Sequence, residues 1–216
     1  MPSATLEEYL ETIYKLSEKG DVRPMQIADS LGVSAPTVTA TLGRLEKGGL
    51  VERPNNRVAL TPEGRAQAVS IIRRHRLAEV FLHDILELPW DVVHEEACKL
   101  EHALSPEVAV ALERFLEDPQ RCPHGHAIPR ADGSIPDETG IALSEAVAGT
   151  TYIIELVDEE EGEEFLTYLG DLGLYPGTAV EVMEVAPFDG PVIVMVGERR
   201  CAVGRQAASL VMVTTV

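Results

Sequence analysis

Residues 33–64 read VSAPTVTATLGRLEKGGLVERPNNRVALTPEG, and this stretch decides the fold of the amino-terminal part of the chain. Ser34 is suited to cap a helix, and Pro36 is tolerated in the first turn because its missing N–H would have no partner there. The glycine pair at 48–49 ends that helix. The runs LVERP and RVAL, joined by Pro-Asn-Asn at 54–56, predict two short strands and a tight turn.

Two further helices are predicted upstream of this stretch. Apolar residues recur at helical spacing in ATLEEYLETIYKLSE (4–18), and PMQIADSLG (24–32) predicts a shorter helix that ends at glycine. Helix, turn, helix and hairpin in this order form the winged helix-turn-helix pattern, in which the second helix of the pair enters the major groove of DNA. We therefore expect a DNA-binding domain over residues 1–64.

The rest of the chain predicts a helical domain followed by a small β-barrel. Amphipathic helices are expected over about 62–88, 90–103 and 105–117. A connector rich in Pro, Gly and Asp follows, and then short apolar runs separated by glycine turns, with one short helix among them. The expected fold is mainly α with a C-terminal small β-barrel, with domains at 1-64, 65-140 and 141-216.

The charge of the chain is strongly asymmetric. The net charge is −18, yet residues 1–76 hold 11 Lys+Arg against 9 Asp+Glu. DNA could therefore be bound only through the amino-terminal part, while the acidic remainder is suited to divalent cations. Three cysteines without framework spacing, no signal-peptide pattern and no apolar run of membrane-spanning length predict a cytoplasmic protein with no membrane partner.

Residues 95–102, EEACKLEH, follow His94 and carry donor atoms of three kinds. On a single helix, Cys98, Glu101 and His102 would share one face. Sulfur, oxygen and nitrogen donors that converge in this way hold first-row transition metals. The spacing alone also fits a solvated Glu–His pair beside a small buried cysteine.

Together these stretches resemble the diphtheria toxin repressor family of metal-dependent repressors, which has iron- and manganese-sensing members. The resemblance covers nearly the whole chain and rests on EEYLETIY, APTVTATLGRLEKGGLV, RRHRLAEVFL, VHEEACKLEH and RCPHGHAIP. It implies that residues 65–140 bind metal and dimerise. It also implies that residues 141–216 form an SH3-like domain of the iron-transport-accessory type.

The resemblance implies an effector metal site formed by Glu8, Cys98, Glu101 and His102. Iron-type members have a methionine at the position of Glu8, whereas manganese-type members have an aspartate there. Cys98, in contrast, matches the iron-type pattern, so the chain combines both types. Glu11 matches a carboxylate ligand of some manganese-type members and is a tentative ligand, with a solvated helix face as the alternative.

A second metal site is also implied, with ligands from the helical domain and two acids from EEEGEEF of the barrel: His75, Glu79, His94, Glu161 and Glu164. A one-residue gap in the match would move the two acids to Glu160 or Glu163. Cys122 in RCPHG is a tentative ligand. The remaining histidines are interpreted as non-ligands (His83, His124 and His126), and Cys201 is interpreted as a core residue.

The implied function is repression of metal-homeostasis genes by a homodimer, or by two dimers per operator, on double-stranded DNA. Two ions per subunit are expected, with Mn2+ favoured by the carboxylate of Glu8 and Fe2+ as the alternative. The residues expected to contact DNA lie on the second helix of the pair and on the wing: Ser34, Pro36, Thr37, Thr39, Arg44, Lys47 and Arg57. Rival hypotheses are a metal buffer with an inert DNA-binding unit and a metallohydrolase, for which the sequence holds no phosphate loop or nucleophile elbow. We therefore do not expect an enzyme.

Overall fold

The computed structural model describes residues 3–216, and the chain divides into two compact units. The first unit comprises residues 1–74, 101–105 and 129–134, and the second comprises 75–100, 106–128 and 135–216. Helices dominate up to residue 115 and strands dominate from residue 141 onward, in the order that the sequence predicts.

The first unit begins with three helices and a hairpin, which is the predicted winged arrangement. Its elements are α1 (Ala4–Glu18), α2 (Pro24–Ser30), α3 (Ala35–Lys47), β1 (Val51–Glu52) and β2 (Ala59–Leu60). The two strands pair antiparallel. The apolar faces of the helices are fully buried at Leu10, Ile13, Ile27, Val38, Leu42 and Leu45. The Ser34 side chain caps α3 by accepting a hydrogen bond from the backbone N–H of Thr37, as predicted.

The hairpin and the start of α4 (Pro62–Val80) are joined by a close backbone contact. Asn55 and Asn56 turn the chain with φ of +50° and +60°, a region that asparagine tolerates better than most residues. Thr61 caps α4 by accepting the N–H of Gly64. A Cβ atom at Gly64 would lie 1.9 Å from the carbonyl oxygen of Leu50, so only glycine fits there.

The helices after the hairpin are shorter than the sequence predicts. α4 ends in a π-helical turn over Phe81–Ile85, α5 spans Val93–Leu100, and α6 spans Pro106–Phe115. Glu101–Ala103 form a 3₁₀ turn. The expectation of one helical face for Cys98, Glu101 and His102 was therefore wrong, because the α-helix of Cys98 ends before Glu101.

The carboxy-terminal part of the second unit is a six-stranded antiparallel sheet. Its strands are β3 (Ile141–Ala142), β4 (Thr150–Val157), β5 (Ala179–Val185), β6 (Val192–Val196), β7 (Arg199–Val203) and β8 (Val211–Thr215), in the order β3-β8-β4-β5-β6-β7. With α7 (Glu163–Leu172) and α8 (Arg205–Ala208) it encloses an apolar core. Cys201 lies in this core, as interpreted. Among the described residues, no helix has the length and hydropathy needed to cross a membrane.

Candidate metal centre and DNA-reading unit

Two side chains of α4 and one of α5 form a buried cluster in the second unit. His75 Nε2 lies 3.1 Å from Oε1 of Glu79, one helical turn further along. His94 Nδ1 lies 3.2 Å from His75 Nε2 and 3.3 Å from Glu79 Oε1. All three residues are buried. The structure thus brings together His75, Glu79 and His94, the helical residues of the expected second site.

The acid that the barrel contributes to this cluster is Glu159. Its carboxylate and the ligand atoms of His75, Glu79 and His94 lie within 4.8 Å of one another. Glu161 and Glu164, which the resemblance implies as ligands, are both exposed, whereas Glu159 is buried and is the acid that lies in the cluster. Glu159 lies in the 3₁₀ turn Glu159–Glu161 after β4, so the alternation of the strand does not predict its burial.

Cys122 and His124 reach the same cluster from the loop before the barrel. His124 is fully buried, and its Nδ1 lies 3.1 Å from Glu79 Oε1. Glu79, Cys122 and His124 together could hold a metal ion. The structure therefore places the tentative ligand Cys122 within reach of Glu79, together with His124, which the sequence analysis did not favour as a ligand.

The two ring nitrogens of His124 face different acceptors, an arrangement that a metal-bound histidine also shows. His124 Nε2 lies 3.0 Å from the carbonyl oxygen of Trp90, so this nitrogen carries the hydrogen. A neutral ring then presents a lone pair at Nδ1, which faces a carboxylate oxygen of Glu79 that is also an acceptor. Two acceptors in contact require a proton or a metal ion between them, and metal-bound histidines usually donate their other N–H to such a carbonyl.

Glu79 supplies the observation that most directly fits a metal. Its Oε1 faces three histidines, whereas its buried Oε2 has no hydrogen-bond partner among residues 3–216. Burial acts to raise the pKa of Glu79, but the charge of His75 and the hydrogen bonds of His124, His75 and His94 outweigh it and hold the pKa well below its usual range. A buried, ionised carboxylate with one bare oxygen suits a divalent cation.

The two candidate cysteine ligands differ in their acidity. Cys98, an exposed residue, has its Sγ 3.8 Å from His94 Nε2. Burial of its thiol acts to raise the pKa, but hydrogen bonds and charge from His75 and His94 lower it. Burial raises the pKa of Cys122 well above its usual value, and the charges of Glu79 and Glu159 add to this shift. Cys98 is thus the readier thiolate.

His126 forms an ion pair with the Glu159 carboxylate. Its Nε2 lies 2.6 Å from Glu159 Oε2, and its Nδ1 lies 3.2 Å from Glu138. Burial acts to lower the pKa of His126, but the charge of Glu159 and the hydrogen bonds of Glu138 and Glu159 raise it to about 10. His126, interpreted as a non-ligand, is therefore a charged neighbour of a candidate ligand.

In the first unit, the residues predicted for the effector site differ in how far they are buried and in which side chains they contact. Glu101 is buried, and its Oε1 lies 3.3 Å from His102 Nε2. Glu8 on α1 is exposed, and its neighbour Glu7 is the buried residue whose Oε2 lies 2.9 Å from His102 Nδ1. Sequence reasoning missed Glu7. Glu11 is buried and pairs with Lys15, and Cys98 belongs to the second unit.

The residues predicted to contact DNA share an exposed position on α3, its cap or the wing: Ser34, Pro36, Thr37, Thr39, Arg44, Lys47 and Arg57. Ser34 and Thr37 bond each other through their hydroxyls, 2.8 Å apart, and Arg57 pairs with Asp21 at 2.8 Å. A cavity of about 560 Å³ is lined by Arg57, the turn 54–56 and Arg23. Arg23, which sequence reasoning missed, adds a second guanidinium beside the wing.

Three protein-family models match successive parts of the chain. They are described as the N-terminal DNA-binding domain of iron-dependent repressors (residues 1–59), their metal-binding and dimerisation domain (61–130) and the FeoA domain (141–215). The predicted fold class is thereby confirmed. The predicted limits 1-64, 65-140 and 141-216 stay a prediction.

Relatives of the chain are regulators of transcription. The chain is 36% identical to the iron-dependent repressor IdeR of Mycobacterium tuberculosis, over 98% of this chain and 97% of the relative. It is 38% identical to the diphtheria toxin repressor of Corynebacterium efficiens, over 83% of each chain. A manganese-dependent transcriptional repressor solved with manganese is 31% identical with a TM-score of 0.90, over 98% of this chain and 100% of that one.

Proposed function

This chain belongs to the diphtheria toxin repressor family of metal-dependent transcriptional repressors, and from that premise we propose that Mn2+ is its effector and that two ions bind per subunit. The chain is a divalent-metal-dependent repressor with a DNA-binding and a dimerisation domain, and it is not an enzyme. Its relatives include both iron- and manganese-dependent proteins. The choice between the two ions therefore rests on donor chemistry.

The buried cluster around Glu79 carries the proposal. His75, Glu79, His94 and Glu159 would hold one ion, and Cys122 and His124 are further candidate ligands beside Glu79. The bare Oε2 of Glu79 and the facing acceptors at His124 support this assignment. When bound, the ion would supply positive charge that the buried carboxylates lack and a fixed bond geometry between α4, α5 and the barrel.

The effector site is proposed from the sequence, with Glu8, Cys98, Glu101 and His102 as its ligands and Glu11 as a tentative addition. Glu8 belongs to α1, whereas Glu101 and His102 belong to the turn after α5. Ligation would tie α1 to that turn. Because α1 packs in the same unit as α3, ordering it would hold the DNA-reading helix in its binding position.

The preference for Mn2+ follows from the balance of hard and soft donors. Glu8 offers an oxygen where iron-type members offer a thioether, which hardens the site. The thiolate of Cys98 has the opposite effect and supports Fe2+ as the alternative. The chain is similar to both iron-dependent and manganese-dependent repressors, so its relatives are consistent with either ion.

The proposed partner is an operator in double-stranded DNA, bound by a homodimer or by two dimers, in the cytoplasm. The short side chains of Ser34, Thr37 and Thr39 suit phosphate bonds and methyl contacts more than bidentate base contacts. Arg44, Lys47 and Arg57 offer charge to phosphates. Sequence-dependent DNA shape would then contribute to specificity.

One experiment tests the proposed effector. Duplexes are selected from a random library by the manganese-loaded protein, and binding to them is titrated with Mn2+, Fe2+, Co2+ and Zn2+ under anaerobic, reducing conditions. We expect Mn2+ to support DNA binding at a lower free concentration than Fe2+, whereas Co2+ and Zn2+ bind most mixed donor sets more tightly than either and serve as references. A lower threshold for Fe2+ would assign iron instead, and enrichment of no duplex with any ion would favour the metal-buffer hypothesis.

The ligand assignments are tested in the same titration. Cys98→Ala, Glu101→Ala and His102→Ala should each abolish metal-stimulated DNA binding, and His75→Ala should weaken it less severely. Glu198→Ala, at an exposed position with no assigned role, is the control and should behave like the parent. If all three effector variants respond to metal like the parent, the effector site is wrongly assigned.

A further inference from the structure

The imidazole ring of His102 lies between two carboxylates of the first unit. Its Nδ1 lies 2.9 Å from Glu7 Oε2, and its Nε2 lies 3.3 Å from Glu101 Oε1. Glu7 is 6% exposed and Glu101 is 2% exposed, so both carboxylates are largely withdrawn from water. One of them comes from α1 and the other from the turn that follows α5.

Glu7 is itself held in place by a buried arginine. Arg74 Nη2 lies 3.1 Å from Glu7 Oε2, the same oxygen that faces His102. The other end of the guanidinium donates to the carbonyl oxygen of Leu104, at 3.2 Å from Nη1. Because Leu104 and His102 belong to the same turn, the contacts close a ring between α1, α4 and that turn. These contacts fix the orientation of the Glu7 carboxylate.

We propose that Glu7 is a positioning residue of the effector site. It accepts the Nδ1–H of His102, which fixes the tautomer of the ring and leaves Nε2 beside Glu101 as the metal-binding nitrogen. This inference rests on the proposed assignment of His102 and Glu101 as ligands. The arrangement of carboxylate, histidine and metal is a recurring one, because the carboxylate both orients the ring and raises its basicity as a ligand.

Arg74 explains why Glu7 supports the site and does not enter it. Its guanidinium already supplies a cation to the Glu7 oxygen that faces His102. The adjacent Glu8 has no such burial and lies exposed on α1, which suits a ligand that closes on the ion. Two consecutive acids of α1 thus have different tasks, one to orient His102 and one to bind.

The first test measures metal affinity directly, in the absence of DNA. Mn2+ binding is followed by competition with a chelating dye in a His75→Ala background, which isolates the effector site. Glu7→Leu should weaken the affinity by about tenfold or more, the range for loss of a carboxylate that supports a metal-bound histidine. Glu7→Gln keeps a neutral acceptor and should restore most of the affinity. Glu18→Gln, exposed on the same helix, is the control and should bind like the parent.

The second test observes the ring of His102 by 15N NMR of histidine-labelled, zinc-loaded protein. In the parent we expect a protonated Nδ1 and a metal-bound Nε2, and in Glu7→Leu a mixture of the two binding modes. A merely structural Glu7 would lower the unfolding midpoint of Glu7→Leu and leave its metal affinity and ring shifts unchanged. That result would overturn the proposal. If Glu7→Leu does not fold, Glu7→Gln decides, because loss of the Nδ1 proton signal together with parent-like metal affinity would equally contradict the proposal.

Failure of this inference is distinguishable from failure of the proposed function. His102→Ala in the same background should abolish Mn2+ binding at the effector site. If His102→Ala binds like the parent, the effector site itself is wrongly assigned. If His102→Ala loses binding and Glu7→Leu does not, only the role of Glu7 is refuted.

Discussion

Three histidines contact a single oxygen of Glu79. One carboxylate oxygen has about two lone pairs, so it cannot accept a well-formed hydrogen bond from all three. His75, His94 and His124 each approach Oε1 within hydrogen-bond distance, at 3.1, 3.3 and 3.1 Å. Each of these rings must also be neutral at the nitrogen that would bind a metal. Metal binding to this cluster is therefore coupled to the loss of protons from its histidines.

The pH dependence of second-site affinity follows from His94. Burial acts to lower its pKa, but hydrogen bonds with Cys98 and Glu79 raise it to about 10, so the metal-free ring is protonated at neutral pH. An ion must displace that proton, and raising the pH toward 10 weakens the competition. In a His102→Ala background, which silences the effector site, Mn2+ affinity should rise up to about tenfold per pH unit between pH 6.5 and 8.5. Electron paramagnetic resonance of free Mn2+ measures this, and an affinity independent of pH would contradict it.

At the scale of single residues, the family resemblance identified His75, Glu79 and His94 as candidate ligands, but it did not identify Glu159 or Glu7, whose positions depend on tertiary register. His75 and Glu79 are one turn apart, so their meeting follows from helix geometry. Glu159 is the first of several acids in EEEGEEF, and an alignment shifted by two residues selects Glu161, which is exposed. Glu7 was missed because choosing between it and Glu8 requires knowing which side of α1 faces the turn of His102.

Trp90 packs on the loop that carries His124, so its fluorescence can report metal binding at the cluster. Trp90, the single tryptophan of the chain, donates its N–H to the carbonyl oxygen of Pro123, and its ring centroid lies 5.0 Å from that of His124. Binding of paramagnetic Mn2+ beside His124 should therefore decrease Trp90 emission. His124→Gln should lose the response, and His83→Gln, at a half-buried histidine on the π-helical turn, should keep it. An equal decrease in both variants would place the ion elsewhere.

Substitution by alanine should have opposite effects at two glycines, one at the junction between the hairpin and α4 and the other inside α3. Gly64→Ala would drive a Cβ to 1.9 Å from Leu50 O, so we expect a loss of about 1–3 kcal/mol or more in the free energy of unfolding. Gly43→Ala, inside α3 with no atom within 4 Å of the new Cβ, should gain about 0.5–1 kcal/mol. Urea unfolding of the metal-free protein measures both. Stabilisation by Gly64→Ala would show that the backbones are not in contact there.

At the scale of elements, the winged unit was largely predictable because local signals mark it. The cap at Ser34, the glycines after α3 and the Pro-Asn-Asn turn each specify a boundary without reference to the rest of the chain. The helix ends near residues 80 and 100 were not predicted. Apolar periodicity continues through both, so the sequence pattern does not show that the backbone changes to a π-helical turn or a 3₁₀ turn.

For the whole molecule, charge and metal binding are coupled. Residues 77–216 hold 7 Lys+Arg against 27 Asp+Glu, an acidic excess that opposes approach to DNA phosphates. Two divalent ions per subunit would offset about four of these charges, less the protons that the ligands release. In this proposal the ordering of α1 and the change in net charge both favour DNA binding.

Metal should also stabilise the whole chain, because the clusters exist only in the folded state. At a free Mn2+ concentration of 100 times the dissociation constant, one site adds about 2.7 kcal/mol to the free energy of unfolding. We expect the midpoint of thermal unfolding to rise with Mn2+ and to fall with a chelator, and His75→Ala to show a smaller rise. A midpoint unaffected by either reagent would mean that no site couples to folding.

The bare oxygen of Glu79 has a consequence for the lifetime of the protein in a cell. A buried carboxylate oxygen without a partner destabilises the metal-free chain, so that form opens more often and is cut more readily by proteases. Scarcity of the ion would then reduce both the activity of each copy and the number of copies. Transcription of the repressed genes would then increase for two reasons, release of the repressor from DNA and proteolysis of its metal-free form.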